Sequence, residues 1–271
     1  MTLPLPARKR FGQHFLHENF IIDKIVSAIT PKKTDHMLEI GPGLGALTQR
    51  LLPHLDRLTV IELDKDLIPL LEEKCAELGE LIVYQGDVLK FDFQAQNKIN
   101  QAWRLVGNLP YNISTPLLFH CLDQADTIQD MHFMLQKEVV DRINAHPGHP
   151  SYGRLSVMIQ YYCRVEKLFN VKPGAFQPPP KVDSAVIRLV PYKVLPYKAD
   201  APLLFAEIVR TAFSHRRKML RNNLANWLQD KDFADLKINS TKRPEELTVS
   251  DYVRLANFLV KRSFANKISE K

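Results

Sequence analysis

The sequence has no apolar run approaching the roughly 20 residues that a bilayer-spanning helix requires, which excludes an integral helical membrane protein. Its start, Met1 to Phe20, carries Arg8, Lys9 and Arg10 but no apolar core after them, so no secretory signal is expected. Only three cysteines occur, Cys75, Cys121 and Cys163, too far apart for a zinc site or a disulfide framework. An odd count at that spacing points to a reducing compartment, and the cytoplasm is the expected location. Internal repeats and low-complexity tracts are absent too, which excludes solenoids and linker-like chains. His146 and His149 flank a Pro-Gly turn without the partners a metal needs, so no metal is expected.

What remains is an ordinary globular composition: 271 residues, 45% hydrophobic and 25% charged. That length suits one large domain with a smaller one. The net charge of +7 is unevenly spread. Residues 201–271 hold 14 Lys/Arg against 8 Asp/Glu, whereas residues 1–200 are close to balanced. Localised positive charge suggests a polyanion such as nucleic acid, although a modest excess can equally be a solvated face.

From Asp35 to about Val190, short β-rich runs alternate with amphipathic stretches. Strands are predicted at Met37–Ile40, Leu58–Ile61, Leu81–Tyr84, Leu105–Gly107 and His132–Leu135. Ala46–Leu55 and Leu67–Leu78 show helical spacing. Such alternation implies an α/β fold with a parallel sheet. Val165–Val171 and Val182–Val190, joined by a Pro-rich segment, read as a hairpin, so one late strand should run antiparallel. After Pro191 the pattern becomes helical, over Leu203–Phe213, Lys218–Gln229 and Ser250–Lys261. A boundary near residue 195 then gives domains 1–195 and 196–271.

Directly after the first of these strands comes Gly41-Pro42-Gly43-Leu44-Gly45-Ala46. Glycines here allow a tight turn and close approach to a ligand. Glu62 ends the second strand, where a carboxylate can accept both hydroxyls of a ribose. The same loop also satisfies the dinucleotide pattern G-x-G-x-x-G/A, so a nicotinamide enzyme stays open at this point. Asp87, with Val88 after it, follows the third strand; a carboxylate beside a main-chain N–H there can read an adenine edge, or can simply cap a turn. Asn108-Leu109-Pro110-Tyr111 follows the fourth strand, on the side where ligands sit in open α/β sheets. Pro110 holds Leu109 extended, so its carbonyl and the Asn108 side chain offer two neutral acceptors beside the flat face of Tyr111. That set suits a planar base held by its amino group.

Gly41-Pro42-Gly43, Glu62, Asp87 and Asn108–Tyr111 together resemble S-adenosylmethionine-dependent methyltransferases that modify an adenine amine. Adding Gly12-Gln13-His14-Phe15-Leu16, the run His132–Val139 and Ala175-Phe176-Gln177-Pro178-Pro179-Pro180-Lys181-Val182-Asp183-Ser184, the chain resembles the small-subunit ribosomal RNA adenine dimethyltransferases. The resemblance covers nearly the whole chain. It implies a Rossmann-like class I methyltransferase fold, mostly parallel with one antiparallel strand, plus a small all-α C-terminal domain. It implies dimethylation of two adjacent adenosines in a hairpin near the 3′ end of small-subunit (16S) rRNA, with S-adenosylmethionine as cofactor and an immature small subunit as partner. Asn108, Leu109, Pro110, Tyr111 and Phe176 become the expected catalytic set, with Tyr111 and Phe176 stacking on the target base. His14, Leu16, Gly41, Gly43, Glu62, Asp87, Val88 and Asn108 become the expected cofactor residues. The family commonly has Asn where this chain has His14, which can also become charged near a sulfonium.

RNA contacts are expected from Arg8, Lys9 and Arg10 and from a basic helical surface of Arg210, Arg216, Arg217, Lys218 and Arg221. No membrane and no obligate protein partner are expected, and the chain should act as a monomer. Two alternatives to the small-subunit enzyme are a non-catalytic RNA-binding assembly factor and a large-subunit resistance methyltransferase; the Phe176–Ser184 stretch favours the small-subunit enzyme.

Overall fold

The computed structural model describes residues 8, 13–97 and 99–269, the last seven of these as backbone only. The strands in chain order are β1 (Phe15–Leu16), β2 (Met37–Ile40), β3 (Arg57–Glu62), β4 (Glu80–Gln85), β5 (Trp103–Asn108), β6 (Ile128–Gln136), β7 (Cys163–Val171), β8 (Phe176–Gln177) and β9 (Ser184–Pro191). Seven of them form one sheet in the order β4-β3-β2-β5-β6-β9-β7, and β1 pairs with β8 in a separate two-stranded ribbon. Pairing is parallel from β4 through β6, and β9 runs antiparallel to β6. The five early strands stand where alternation placed them, and β7 and β9 are neighbours, as the hairpin reading required.

Strand order reverses between β2 and β5: β2 pairs with β3 on one side and β5 on the other. In an open α/β sheet this switch point leaves a crevice at the carboxyl ends. The opposite ends are clamped by a buried ion cluster. The Arg104 guanidinium, at the start of β5, donates to Asp130 at the start of β6 (2.9 and 3.0 Å), to Asp35 just before β2 (2.5 Å) and to the Ile29 carbonyl (2.7 Å). Every guanidinium nitrogen is thus satisfied, which is the condition for a buried charge to be tolerated. The helix after β2 is shorter than predicted. Thr48–Leu51 is a single α-turn that passes into a 3-10 turn over Leu52–His54, because Pro53 cannot donate to the next turn.

The chain divides into two compact units. One extends to Val140 and resumes over Arg164–Pro191; the other holds Asp141–Cys163 and the chain from Tyr192 on. The sequence boundary near 195 lies close to Pro191, but residues 141–163, assigned from sequence to the first domain, cluster with the helical unit. The tyrosines of helix Arg154–Tyr162 and the turn before it account for this. Tyr161 packs at a tilt against Phe205, ring centres 4.4 Å apart, and accepts the Ala199 N–H (3.1 Å), while Tyr152 meets Phe213 edge-on at 6.4 Å. These partners lie some 40 to 60 residues onward in sequence, beyond the reach of local pattern.

Within that unit helix Pro202–Ala212 lies near its predicted span, and helix Val249–Ser269 starts where predicted but runs well past the expected end at Lys261. Thr248 and Asp251 cap the second reciprocally: each backbone N–H donates to the other's side chain, at 3.0 and 3.1 Å. The predicted helix Lys218–Gln229 shrinks to Leu220–Asn223. It ends where Leu224 leaves helical backbone (φ −104°, ψ 15°), and its free first amides tie it to the 240–242 segment: Leu220 N–H donates to the Lys242 carbonyl (2.7 Å) and Arg221 N–H to that of Ser240 (3.1 Å). Among the described residues no helix is long and apolar enough to cross a membrane.

Candidate active site

The site grows from the turn after β2. Gly43 has φ +58°, and a Cβ there would stand 3.2 Å from the Phe15 ring, so both the backbone and the space call for glycine. Its N–H donates to one Glu62 oxygen (3.1 Å), and the Asp64 N–H donates to the other (2.8 Å). Glu62 is thereby fixed at the end of β3 with acceptor capacity left on both oxygens. Because the helix after the turn starts only at Thr48, the turn itself, rather than a helix N-terminus, lines the cavity below. A second glycine brings the β5 end close: a Cβ on Gly107 would lie 2.6 Å from the Ile40 carbonyl oxygen.

These ends enclose a cavity of about 160 Å³ at the switch point. Its walls include His14, Leu16, Gly41, Gly43, Glu62, Asp87, Val88 and Asn108, every residue expected to touch a cofactor. Asp87 also caps the turn after β4, accepting the Leu89 N–H at 3.0 Å, so the capping role and a place on the wall coexist. Glu39 is a wall residue that had no assigned role. The signal for it was available: a lone carboxylate inside the apolar strand Met-Leu-Glu-Ile. It is 2% exposed and accepts the Thr48 hydroxyl at 2.7 Å. Burial, with the nearby Glu62 adding to it, pushes its carboxyl up to about 7. Burial likewise raises Glu62, against the backbone N–H groups of Asp64, Gly43 and Leu63 that favour its charge.

No described residue on this wall is Lys or Arg. Buried carboxylates without a counterion are costly, and a ligand that brings positive charge and hydroxyl donors relieves them. The donor set therefore fits S-adenosylmethionine, with its sulfonium, ammonium and ribose, better than an anionic dinucleotide.

The rim of the cavity is the Asn108–Tyr111 turn. Asn108 Nδ2 donates to the His14 carbonyl (2.9 Å), which fixes the amide and leaves Oδ1 as its acceptor. Ser114 Oγ (3.0 Å) and the Ile113 N–H (3.2 Å) close the turn on the Pro110 carbonyl, not on that of Leu109. The Tyr111 hydroxyl bonds Ser184 Oγ at 2.8 Å, and its ring stacks on the His14 imidazole at 5.5 Å. Asn108, Leu109, Pro110 and Tyr111 all line the cavity.

Phe176 does not. It is 2% exposed, packed in the core beside Leu16, with which it pairs in the β1–β8 ribbon. In this geometry it supports the strand carrying Phe15 and Leu16 instead of presenting a face to a base.

The expected RNA residues divide sharply. Lys9 and Arg10 lie outside the described residues. Arg8 is already engaged: its guanidinium pairs with Asp64 at 2.7 Å and with Asp66, and its N–H donates to Gln13, which also reaches Asp64. With two carboxylates beside it, Arg8 presents no net positive charge to a phosphate in this structure. Arg210 is bound bidentately by Glu207 one turn earlier (2.8 and 2.5 Å). Arg216 donates to the Pro150 and Tyr152 carbonyls (2.6 and 3.1 Å), tying its turn to the 141–163 segment. Arg217 and Lys218 are exposed and Arg221 is partly so. Arg217 and Lys218 lie on the turn after helix Pro202–Ala212, and Arg221 on the short helix Leu220–Asn223 that follows it, so they do not share one long helical face. Asn223 shapes that turn by donating to the Ala212 and His215 carbonyls.

Residues 5–261 match the family model described as ribosomal RNA adenine dimethylase. A ribosomal RNA small subunit methyltransferase A from Marinomonas sp. (strain MWYL1) is 54% identical over 259 residues, covering 96% of this chain and 97% of that protein. One of the same name from Pseudomonas putida is 55% identical over 253 residues, 93% of this chain and 95% of its own length. Among solved structures, a dimethyladenosine transferase from Plasmodium falciparum superposes with a TM-score of 0.79 at 27% identity, covering 92% and 98% of the two chains. A 23S rRNA methyltransferase superposes at 0.70 with 24% identity, covering 91% and 99%, a likeness of fold alone.

Proposed function

The chain belongs to the ribosomal RNA adenine dimethylase family, and on that premise we propose which of its residues carry the reaction. It is an S-adenosylmethionine-dependent methyltransferase that dimethylates the exocyclic amines of two adjacent adenosines in a 3′-terminal hairpin of small-subunit rRNA. The nicotinamide reading falls with the family match and with the uncompensated carboxylates of the cavity. The large-subunit reading falls with the 54–55% identity to small-subunit enzymes.

The observation that carries the assignment of roles is the Asn108 amide, held by the His14 carbonyl on the rim of that cavity. The bound cofactor supplies an electrophilic methyl carbon on a positively charged sulfur. An adenine amine is a poor nucleophile because its lone pair is delocalised into the ring. Asn108 Oδ1 and the Leu109 carbonyl accept its two N–H groups, which draws the nitrogen out of conjugation and aims its lone pair into the cavity. Pro110 keeps that carbonyl turned inward, and Tyr111, braced by Ser184, offers the stacking face. Stacking on one aromatic ring contributes roughly 1–3 kcal/mol toward holding a base out of its loop. Phe176 acts through the strand it packs beneath. Positioning and electrostatics suffice: an amide cannot serve as a base, and the methylated amine, positively charged once the methyl has left sulfur, then loses its proton to water.

Glu62 holds the ribose, Asp87 and the Val88 N–H meet the adenine of the cofactor, and Gly41, Gly43 and Leu16 shape its bed. Arg217, Lys218 and Arg221 meet RNA phosphates. The first unit binds cofactor and target base, and the helical unit, including residues 141–163, carries the basic turn. The chain works as a monomer in the cytoplasm on an immature small subunit. Labelled methyl transfer to small subunits from an unmethylated strain, followed by nucleoside analysis, tests this reading. Dimethyladenosine at two adjacent positions is expected; label only in large-subunit RNA, or none, would overturn it.

A further inference from the structure

Reading the cavity as the site of a cationic methyl donor gives His14 a consequence of its own. Its Nδ1 lies 2.8 Å from the Pro178 carbonyl oxygen. A carbonyl only accepts, so Nδ1 carries the proton and Nε2 is the one lone pair of the neutral ring. The ring lines the cavity and stacks on Tyr111, and the backbone of the same residue holds Asn108. The Pro178 bond and the Tyr111 ring hold the imidazole in place, so a second proton has to be accommodated there.

The titratable groups that share the wall with it are Glu39, Glu62, Asp87 and the Tyr111 phenol; no described wall residue is Lys or Arg. A neutral His14 therefore leaves the cavity wholly negative or neutral, suited to a sulfonium. A protonated His14 adds the only cation of the described wall and opposes a second one. The thioether left after methyl transfer carries no charge on sulfur and feels no such opposition there.

We propose that His14 is a specificity-determining residue that makes the cavity discriminate, in a pH-dependent way, between the cationic methyl donor and its uncharged-sulfur product. Lowering pH should weaken S-adenosylmethionine more than S-adenosylhomocysteine, so the donor-to-product preference falls as His14 protonates. Glu39, whose carboxyl burial pushes up to about 7, acts in the same direction, because its protonation removes a negative charge. His14→Asn separates the two: the Asn Nδ2 can reproduce the donor to Pro178 but cannot gain a charge, while Glu39 is untouched.

Calorimetric Kd values for both ligands, from about pH 8 to about pH 6, give the test. In the wild-type chain the ratio of donor Kd to product Kd should rise roughly three- to tenfold more than in His14→Asn. Equal rises in both chains would overturn the proposal. Linkage supplies a second measurement on the wild-type protein alone, whatever the variant's folding. The imidazole pKa followed by NMR should fall on binding S-adenosylmethionine and fall less, or not at all, on binding S-adenosylhomocysteine. Identical shifts with the two ligands would overturn the inference while leaving the cavity assignment standing. Failure of both ligands to bind would overturn that assignment and this inference with it.

Discussion

The cavity and the basic turn present opposite electrostatic problems. On the cavity wall, Glu39 and Glu62 are buried with neutral donors around them and no counterion among the described residues. In the helical unit the cations are exposed, yet Arg210 is neutralised by Glu207 and Arg216 is committed to two carbonyls. Arg8, near the cavity, is as fully engaged by Asp64 and Asp66. The contrast teaches that residue type alone does not mark a charged ligand's site. What distinguishes the two proposed sites is charge with no opposite charge paired to it: negative at the cavity, positive at Arg216, Arg217, Lys218 and Arg221.

The largest effect expected is at the rim. Asn108→Ala removes the side-chain acceptor without touching Glu62 or the glycine turn. Losing one group of a preorganised electrostatic set typically costs about 10²–10³ in turnover. Single-turnover methylation should fall by that order while the calorimetric Kd for S-adenosylmethionine stays within about threefold. Near-normal turnover would remove Asn108 from the catalytic set.

Next is the uncompensated charge of Glu39. Its carboxyl is pushed up to about 7 in the folded chain, against an ordinary value of 4.5. Between those values the native state holds a proton that the unfolded state has released, so stability of the ligand-free protein falls as pH rises through that window. By linkage the fall approaches roughly 3 kcal/mol at full ionisation. Glu39→Gln keeps an acceptor for Thr48 and abolishes that titration. Its thermal midpoint should therefore gain on the wild type from about pH 5 upward, and the gap should close in acid. A constant gap across the whole range would show that the carboxyl ionises normally. Smaller again is neutralisation of Arg217, Lys218 and Arg221 together. RNA affinity should fall by roughly 2 kcal/mol, and the log–log salt slope should drop by about 0.9 for each phosphate that is no longer neutralised. An unaltered slope would place the RNA on another face.

How much of this was legible in the sequence follows from the range of each constraint. The strand ends, the Gly41–Gly45 turn and the Asn108–Tyr111 turn were readable because glycine and proline fix backbone locally, and a parallel sheet places successive strand ends on one side. Glu39 was readable in principle, as an acid in an apolar strand. Two failures were local and readable, the helix cut short at Pro53 and Arg210 beside Glu207. Others met a partner far off in sequence: residues 141–163 were claimed by Ala199, Phe205 and Phe213. Arg8 met Asp64, and Phe176 met Leu16 across a two-residue ribbon that no periodicity could announce.

The smallest effect is the most discriminating. Arg210 stands exposed on helix Pro202–Ala212 with Glu207 one turn before it, and their pairing holds the Glu207 carboxyl below its ordinary range. To meet a phosphate, Arg210 would have to give up a bidentate partner fixed on its own helix, then leave a carboxylate beside the same phosphate. Exposed i,i+3 pairs are weak, so stability hardly depends on this one. The net charge presented to RNA is nonetheless close to zero. Arg210→Ala should therefore change RNA affinity by less than about twofold and leave the salt slope unmoved. Glu207→Gln, which frees the guanidinium, should tighten binding and steepen the slope by about 0.9, the equivalent of one more neutralised phosphate. If instead Arg210→Ala lowered the slope by as much as a single residue of the Arg217 turn does, RNA would be breaking the pair, and internal compensation would not be what separates these cations.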